Sequence, residues 1–211
     1  KDGHTLIPKY RSMYLDKFIK DRDLDYIKKN VDFRKMVRDI SDPEDIEFEI
    51  PKDLNANLRD YQKSGFKWLK TLSKYGLGGI LADDMGLGKT IQMLTFLLSE
   101  RQEKGSQANL IIVPTSLVYN WDEEVKKFAP SLKTLLVVGT KEERNNLIKE
   151  SENYDLVITS YPLVRRDVEE YKNISFRYCV LDEAQHIKNH NSMNAKSVKM
   201  INAKNRFALT G

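Results

Sequence analysis

Two groups of side chains in this sequence have the chemistry to handle a phosphate ester. The first is Ala82-Asp83-Asp84-Met85-Gly86-Leu87-Gly88-Lys89-Thr90. Gly86 and Gly88 let the backbone approach an anion without Cβ interference, Lys89 adds a full positive charge, and Thr90 offers a hydroxyl to Mg²⁺. Asp84, Met85 and Leu87 supply the remaining loop backbone. The general pattern G-x-x-x-x-G-K-[ST] wants Gly at position 83, where this chain has Asp83, so read alone the short Gly-x-Gly-Lys-Thr also fits an ordinary Gly-rich turn. The second group is Asp182-Glu183, at the end of the apolar run Cys179-Val180-Leu181. Asp182 would hold Mg²⁺, and Glu183 would orient or deprotonate an attacking water. Alone, two acids at a strand end also read as solvent-facing punctuation; on one sheet with Gly-Lys-Thr they point to nucleotide hydrolysis.

The surrounding pattern must position both groups. Gly79-Ile80-Leu81 is a short buried strand, and Ile91 to Leu98 opens a helix, so the Gly-rich loop is a tight strand-to-helix turn with a helix N-terminus aimed at it. A helix over residues 58–75, capped by Asn57 and ended by Gly76, precedes it. Beyond it the chain alternates strand 110–113, helix 120–128, strand 134–138, helix 141–149, strand 156–159, helix 163–171, strand 178–181, helix 194–200 and strand 207–209. This predicts an α/β fold whose mainly parallel sheet is covered by helices on both faces. In such sheets ligands sit beyond the carboxyl ends of the strands, so the loop at 83–90, Pro114-Thr115, Thr159-Ser160, Asp182-Glu183 and Thr210-Gly211 should converge on one edge.

Residues 1–51 read as a small, mostly helical accessory segment. Tyr10, Tyr14, Leu15, Phe18 and Ile19, then Leu24, Ile27, Val31, Met36 and Val37, predict two amphipathic helices broken near Asp21-Arg22-Asp23. Ser41-Asp42-Pro43-Glu44 stops the second, and Ile46, Phe48 and Ile50 alternate with Glu47 and Glu49 as a half-buried strand ended by Pro51. The 211 residues, 40% hydrophobic and 31% charged, suit one sizeable core. No apolar run approaches the ~20 residues of a membrane span and no signal peptide is evident, so a cytoplasmic protein is expected. The single Cys179 excludes an internal disulfide and a zinc site of Cys pairs. A net charge of +4, from 35 Lys and Arg against 31 Asp and Glu, is compatible with a polyanion but does not by itself indicate nucleic acid.

The ordered set Leu58-Arg59-Asp60-Tyr61-Gln62, Asp83 to Thr90, Val113-Pro114-Thr115-Ser116-Leu117 with Asn120-Trp121, Thr159-Ser160-Tyr161, Asp182-Glu183-Ala184-Gln185 and Leu209-Thr210-Gly211 resembles the Swi/Snf-type ATPases of helicase superfamily 2. The likeness, to bacterial or archaeal members above all, covers residues 55–211. In that family the loop commonly reads Asp-Glu-Met-Gly-Leu-Gly-Lys-Thr, so Asp83 is expected and Asp84 in place of Glu is a mild change.

The resemblance implies a RecA-like P-loop domain over residues 52–211 that binds ATP and Mg²⁺. It would be the first lobe of a double-stranded-DNA translocase whose second RecA-like lobe, with its arginine finger, would follow Gly211. Such a lobe alone should bind nucleotide weakly and hydrolyse it slowly, and the full protein would be nucleoid-associated in bacteria or nuclear in eukaryotes. Lys89, Asp182 and Glu183 become the catalytic set, with Thr90 and Asp182 on the metal. Gln62 implies adenine reading through an amide that donates and accepts at once. Arg59 either steadies the base or lies on the surface. Pro114, Thr115, Ser116, Thr159 and Ser160 are implied phosphate-backbone contacts; without the resemblance they read as turn and cap residues. Gln185 and Thr210 would couple nucleotide to nucleic acid. Trp68 and Trp121 read as core, and His186 and His190 as surface or packing residues, because Ile187 stands where a zinc-protease pattern needs Glu. An RNA helicase lobe of the same superfamily, a non-catalytic nucleotide-gated DNA-binding module and a more distant P-loop NTPase are the alternatives. Protein partners are left unnamed.

Overall fold

A computed structural model of the chain describes residues 7–24, 26–43 and 46–211. Six parallel strands, β1 (Gly79–Leu81), β2 (Asn109–Val113), β3 (Thr134–Leu136), β4 (Leu156–Ser160), β5 (Phe176–Leu181) and β6 (Ala203–Leu209), lie in the order β1-β6-β5-β2-β4-β3. The three central strands are buried at every position, as parallel strands covered on both faces must be. Alternate residues of each strand face opposite ways. Ile111 and Val113 join a core with α3 (Asp60–Lys74), α4 (Lys89–Lys104) and α5 (Val118–Phe128), where Phe66, Leu94 and Trp121 pack. Leu110 and Ile112 face the other layer, formed by α6 (Lys141–Lys149), α7 (Tyr161–Asp167) and α8 (Met193–Met200) and filled by Ile148, Tyr161 and Val198. The expected α/β architecture is therefore the observed one. At the β1 edge the cover thins, and Ile80 is 64% exposed.

Two amphipathic helices, α1 (Ser12–Asp21) and α2 (Val31–Ser41), precede the sheet, and α2 packs toward α3, where Lys74 Nζ and Tyr75 Oη donate to Asp39 at 3.1 and 2.6 Å. The expected strand through Ile46, Phe48 and Ile50 does not form. Among the described residues no strand pairs with this segment, and an unpaired strand has no ladder of hydrogen bonds to hold it. Phe48 instead packs edge-on against Phe66, ring centroids 6.5 Å apart, as part of an extended strap. Glu44, in the expected helix stop, lies outside the described residues. Boundaries also shift: the second helix begins only at Val31, capped by Asn30, so Leu24 and Ile27 lie outside it. Helix α3 starts at Asp60 rather than 58, capped not by Asn57 but through Gln62, whose Oε1 accepts from the Arg59 N–H at 2.9 Å. Helix α7 starts two residues early, at Tyr161, because Pro162 suits a first helical turn. No helix of the described residues is long and apolar enough to cross a membrane.

Candidate nucleotide site

The parallel register brings the carboxyl ends of β1 and β5 to one edge. Between them opens a cavity of about 600 Å³, with Lys89, Thr90, Asp182 and Glu183 in its wall. Gly86 and Gly88 take left-handed backbone angles, φ +84° and +78°, that a side chain would strain. At Gly88 a Cβ would also lie 2.5 Å from Gln62 Nε2. Gly88 is the N-cap of α4 and has no side chain to close the helix end, so the first turn is left to an anion. Lys89 Nζ folds back over the loop and donates to the Asp83 and Asp84 carbonyls at 2.6 and 3.1 Å. Asp83, the departure from the general pattern, has a structural task. Its carboxylate accepts from Gln92 Nε2 at 2.9 Å and pins the loop to the second turn of α4, and its φ is not one of the positive angles that would demand glycine.

Asp182 is held on three sides. Trp121 Nε1–H donates to Oδ2 at 2.8 Å, the Glu183 N–H to Oδ1 at 2.9 Å, and the Tyr161 hydroxyl to the Asp182 carbonyl at 2.7 Å. Burial raises its carboxyl pKa, and the bonds from Trp121 and Glu183 and the charge of Lys89 oppose the rise. Each carboxylate oxygen accepts one bond here and keeps a lone pair for another. Glu183 has φ +49°, an angle that costs a non-glycine residue about 1 kcal/mol or more and persists only where its surroundings impose it. The Trp121 bond spans 61 residues of sequence, so the indole, readable from sequence only as core, is also a positioning group. Glu124, which no motif singles out, lines the same cavity. Burial raises its carboxyl pKa.

Gln62 is buried at the rim, with both ends of its amide in use: it accepts from Arg59 N–H and donates from Nε2 to the Leu87 carbonyl at 3.1 Å. It thus ties the start of α3 to the phosphate loop. The family model described as the SNF2-related domain matches residues 61–211, and the one described as bacterial SNF2 helicase associated matches residues 1–51. This chain belongs to the SNF2 family. Among its SNF2 relatives, the TATA-binding protein-associated factor mot1 of Schizosaccharomyces pombe is 39% identical over 191 residues, covering 84% of this chain and 10% of that protein. Helicase SWR1 of Debaryomyces hansenii is 40% identical over 198 residues, covering 91% and 12%. The Sulfolobus solfataricus SWI2/SNF2 ATPase core solved in complex with dsDNA is 40% identical with a TM-score of 0.72, covering 79% of this chain and 34% of that one. The chain thus spans about a tenth of the length of these curated SNF2 relatives and about a third of the archaeal core.

The SNF2 motif residues are not all placed alike. Gln185, Thr210 and Glu183 form a short relay, Gln185 Nε2 donating to Glu183 at 2.6 Å and the Thr210 hydroxyl donating to Gln185 Oε1 at 3.2 Å. Pro114 leads into a 3₁₀ turn, Thr115–Leu117, on which Thr115 and Ser116 are exposed. Thr159 and Ser160, expected beside them as phosphate contacts, are fully buried. The Thr159 hydroxyl donates to the Val137 carbonyl at 3.0 Å, and the Ser160 hydroxyl has no hydrogen-bond partner among the described residues. The reason is that β4 continues through Ser160 in register with Val113. Both residues are therefore still inside the sheet rather than in the loop beyond it.

Proposed function

We propose that residues 52–211 are the first, ATP-binding lobe of an ATP-dependent double-stranded-DNA translocase or remodeller, with residues 1–51 as an accessory segment. The observation that carries this is the convergence of Lys89, Thr90, Asp182 and Glu183 on one cavity whose rim holds Gln62. The arrangement fits the magnesium salt of a nucleoside triphosphate. Thr90 and Asp182 offer two hard oxygens, which suits Mg²⁺, an ion that keeps several waters and shares its shell with phosphates. When bound, Mg²⁺ supplies neutralisation of phosphate charge.

The chain's own residues do the rest. Lys89, now on the Asp83 and Asp84 carbonyls, exchanges them for phosphate oxygens, and the first turn of α4 adds its free N–H groups. Glu183 accepts a proton from the attacking water, its carboxylate steadied by the Gln185 amide. Trp121 and Tyr161 hold Asp182 in place. The cationic side chains lining the cavity are Lys89 and Arg59, and Arg59 lies beside Gln62 at the rim. The further positive charge that phosphoryl transfer uses, an arginine finger worth about 10³–10⁵ in rate, would come from a second lobe. DNA is engaged through the turn on which Thr115 and Ser116 are exposed; the archaeal core solved in complex with dsDNA supports DNA as the partner.

Glu183→Gln in the protein that joins this chain to a second lobe tests the assignment. The variant is expected to keep ATP affinity and to lose DNA-stimulated hydrolysis by about 10²–10⁴-fold. Hydrolysis at the parent rate would remove Glu183 from the catalytic set.

A further inference from the structure

Asp182 is hydrogen-bonded to both ends of one short stretch of chain. Its N–H donates to the Ile112 carbonyl at 2.9 Å, near the end of β2, and its Oδ2 accepts from the Trp121 indole at 2.8 Å, near the start of α5. Between the two lies the turn that exposes Thr115 and Ser116. The Leu117 N–H donates to the Pro114 carbonyl at 2.9 Å, and Leu117 is also the N-cap of α5, so the turn passes into the helix without a linker. Val118 and Val125 bury α5 in the core. Turn, helix and carboxylate thus form one contiguous path of hydrogen bonds and packed backbone, the kind of connection along which two sites can bias each other.

Only Trp121 is placed to turn the carboxylate from outside β5. The other bond to the carboxylate comes from the Glu183 N–H, which belongs to the adjoining residue. Tyr161, which follows Ser160, donates to the Asp182 carbonyl and so acts on the backbone. Packing explains the Trp121 ring, whereas its N–H needs an acceptor once buried, and the acceptor it takes is a cavity-lining carboxylate.

We propose that Trp121 couples the two sites: DNA seated on the Thr115–Ser116 turn is felt at the Asp182 carboxylate through the indole N–H, so DNA and magnesium-ATP each tighten binding of the other. The inference rests on the reading above, in which DNA is held on this turn and ATP in the cavity. The route is separate from the Gln185 and Thr210 relay, which ends on Glu183.

The test uses the protein that joins this chain to a second lobe. A fluorescent non-hydrolysable ATP analogue with Mg²⁺ is titrated with and without one duplex, and the duplex with and without the analogue. The readout is the ratio of dissociation constants without and with the other ligand, which linkage makes the same in both directions. The parent is expected to give a ratio of about 10, within the ordinary range of coupling between sites. Trp121→Phe, which keeps an apolar ring and removes the donor, should bring it below about 3. If Trp121→Phe does not fold, β-(3-benzothienyl)alanine at position 121, whose sulfur replaces the N–H in a ring of the same shape, decides the matter. A purely structural role changes the dissociation constants in parallel and leaves the ratio at the parent value. That result, or a parent ratio near 1, would overturn the inference. Two controls test the reading beneath it: if Lys89→Ala binds the analogue as the parent does, the nucleotide site fails, and if the Thr115 and Ser116 double alanine variant binds the duplex as the parent does, the DNA turn fails.

Discussion

Helix α4 ends in two opposite ways. At its N-terminus, Gly88 gives no cap and the charged groups of the loop line an open cavity. At its C-terminus a side chain from the sheet takes three of the carbonyls. Arg177, from β5, donates Nη1 to the Glu100 and Gly105 carbonyls at 3.2 and 2.9 Å and Nη2 to the Lys104 carbonyl at 3.2 Å, closing the last turn. Glu100, 1% exposed, accepts from Lys70 at 2.6 Å, from Ser73 at 3.2 Å, and from Lys104 and Tyr178. Both clusters contain buried charge, but only one leaves polar capacity facing a cavity. That difference, rather than the presence of charge, separates a site that holds a ligand from one that holds the fold.

The largest effect on stability is therefore expected far from the cavity. Glu100→Ala leaves Lys70, which is 3% exposed, with Glu103 as its remaining carboxylate at 2.7 Å and takes the acceptor from Ser73, Lys104 and Tyr178, so it should cost about 3 kcal/mol in denaturant unfolding, the lower end of the range for breaking a buried pair from one side. The same carboxylate predicts acid sensitivity. Burial raises the Glu100 pKa, but hydrogen bonds from Lys104, Lys70 and Tyr178 outweigh it and bring the carboxyl from its usual 4.5 down to about 2. A depressed folded-state pKa stabilises the fold above the unfolded value and is lost as pH falls through the folded one. Parent stability should accordingly drop between pH 4.5 and about 2, and Glu100→Gln should flatten that part of the profile. Lys104, Lys70, Tyr178 and Glu103 face the same cluster, so a profile unchanged by Glu100→Gln would assign the acid step to other carboxylates.

Lys89→Ala probes the opposite end. Lys89 bonds two loop carbonyls that solvent can serve, so its removal should shift stability by less than about 1 kcal/mol. Losing a charge-assisted bond to phosphate should weaken ATP binding by about 10–100-fold, read by calorimetry. A comparable loss of stability in both variants would erase the distinction between the two ends of α4.

The two ends also differ in how far sequence could read them. The loop was readable because its chemistry is local: Gly86, Gly88, Lys89 and Thr90 are consecutive or nearly so, and Asp182-Glu183 closes an apolar run. The helix over 141–149 was readable for the same reason, with Thr140 and Glu143 capping each other across three residues. The most distant partners of Asp182 and Glu100 lie 61 and 78 residues away, in Trp121 and Tyr178, and only the tertiary fold brings them together. Glu124 has no motif of its own, and only the fold brings it to the cavity wall. The strand over 46–50 was misread because apolar alternation also describes a strap that packs one face on α3.

The smallest expected effect separates the two pairs of hydroxyls that the motifs treat alike. Thr115 and Ser116 lie exposed on their turn, whereas Ser160 is closed inside β4 with a hydroxyl that finds no partner among the described residues. Replacing both Thr115 and Ser116 by Ala should weaken DNA binding by about 3–10-fold at fixed salt, the sum of two modest hydrogen bonds. Ser160→Ala should leave DNA affinity unchanged and alter stability by no more than about 0.5 kcal/mol, since it removes a buried group that makes no bond. Parallel fluorescence anisotropy titrations with one duplex decide it. A loss of affinity in Ser160→Ala matching that of the Thr115 and Ser116 double variant would mean that the end of β4 opens when DNA binds. The carboxyl edge seen here would then be a closed form of the interface.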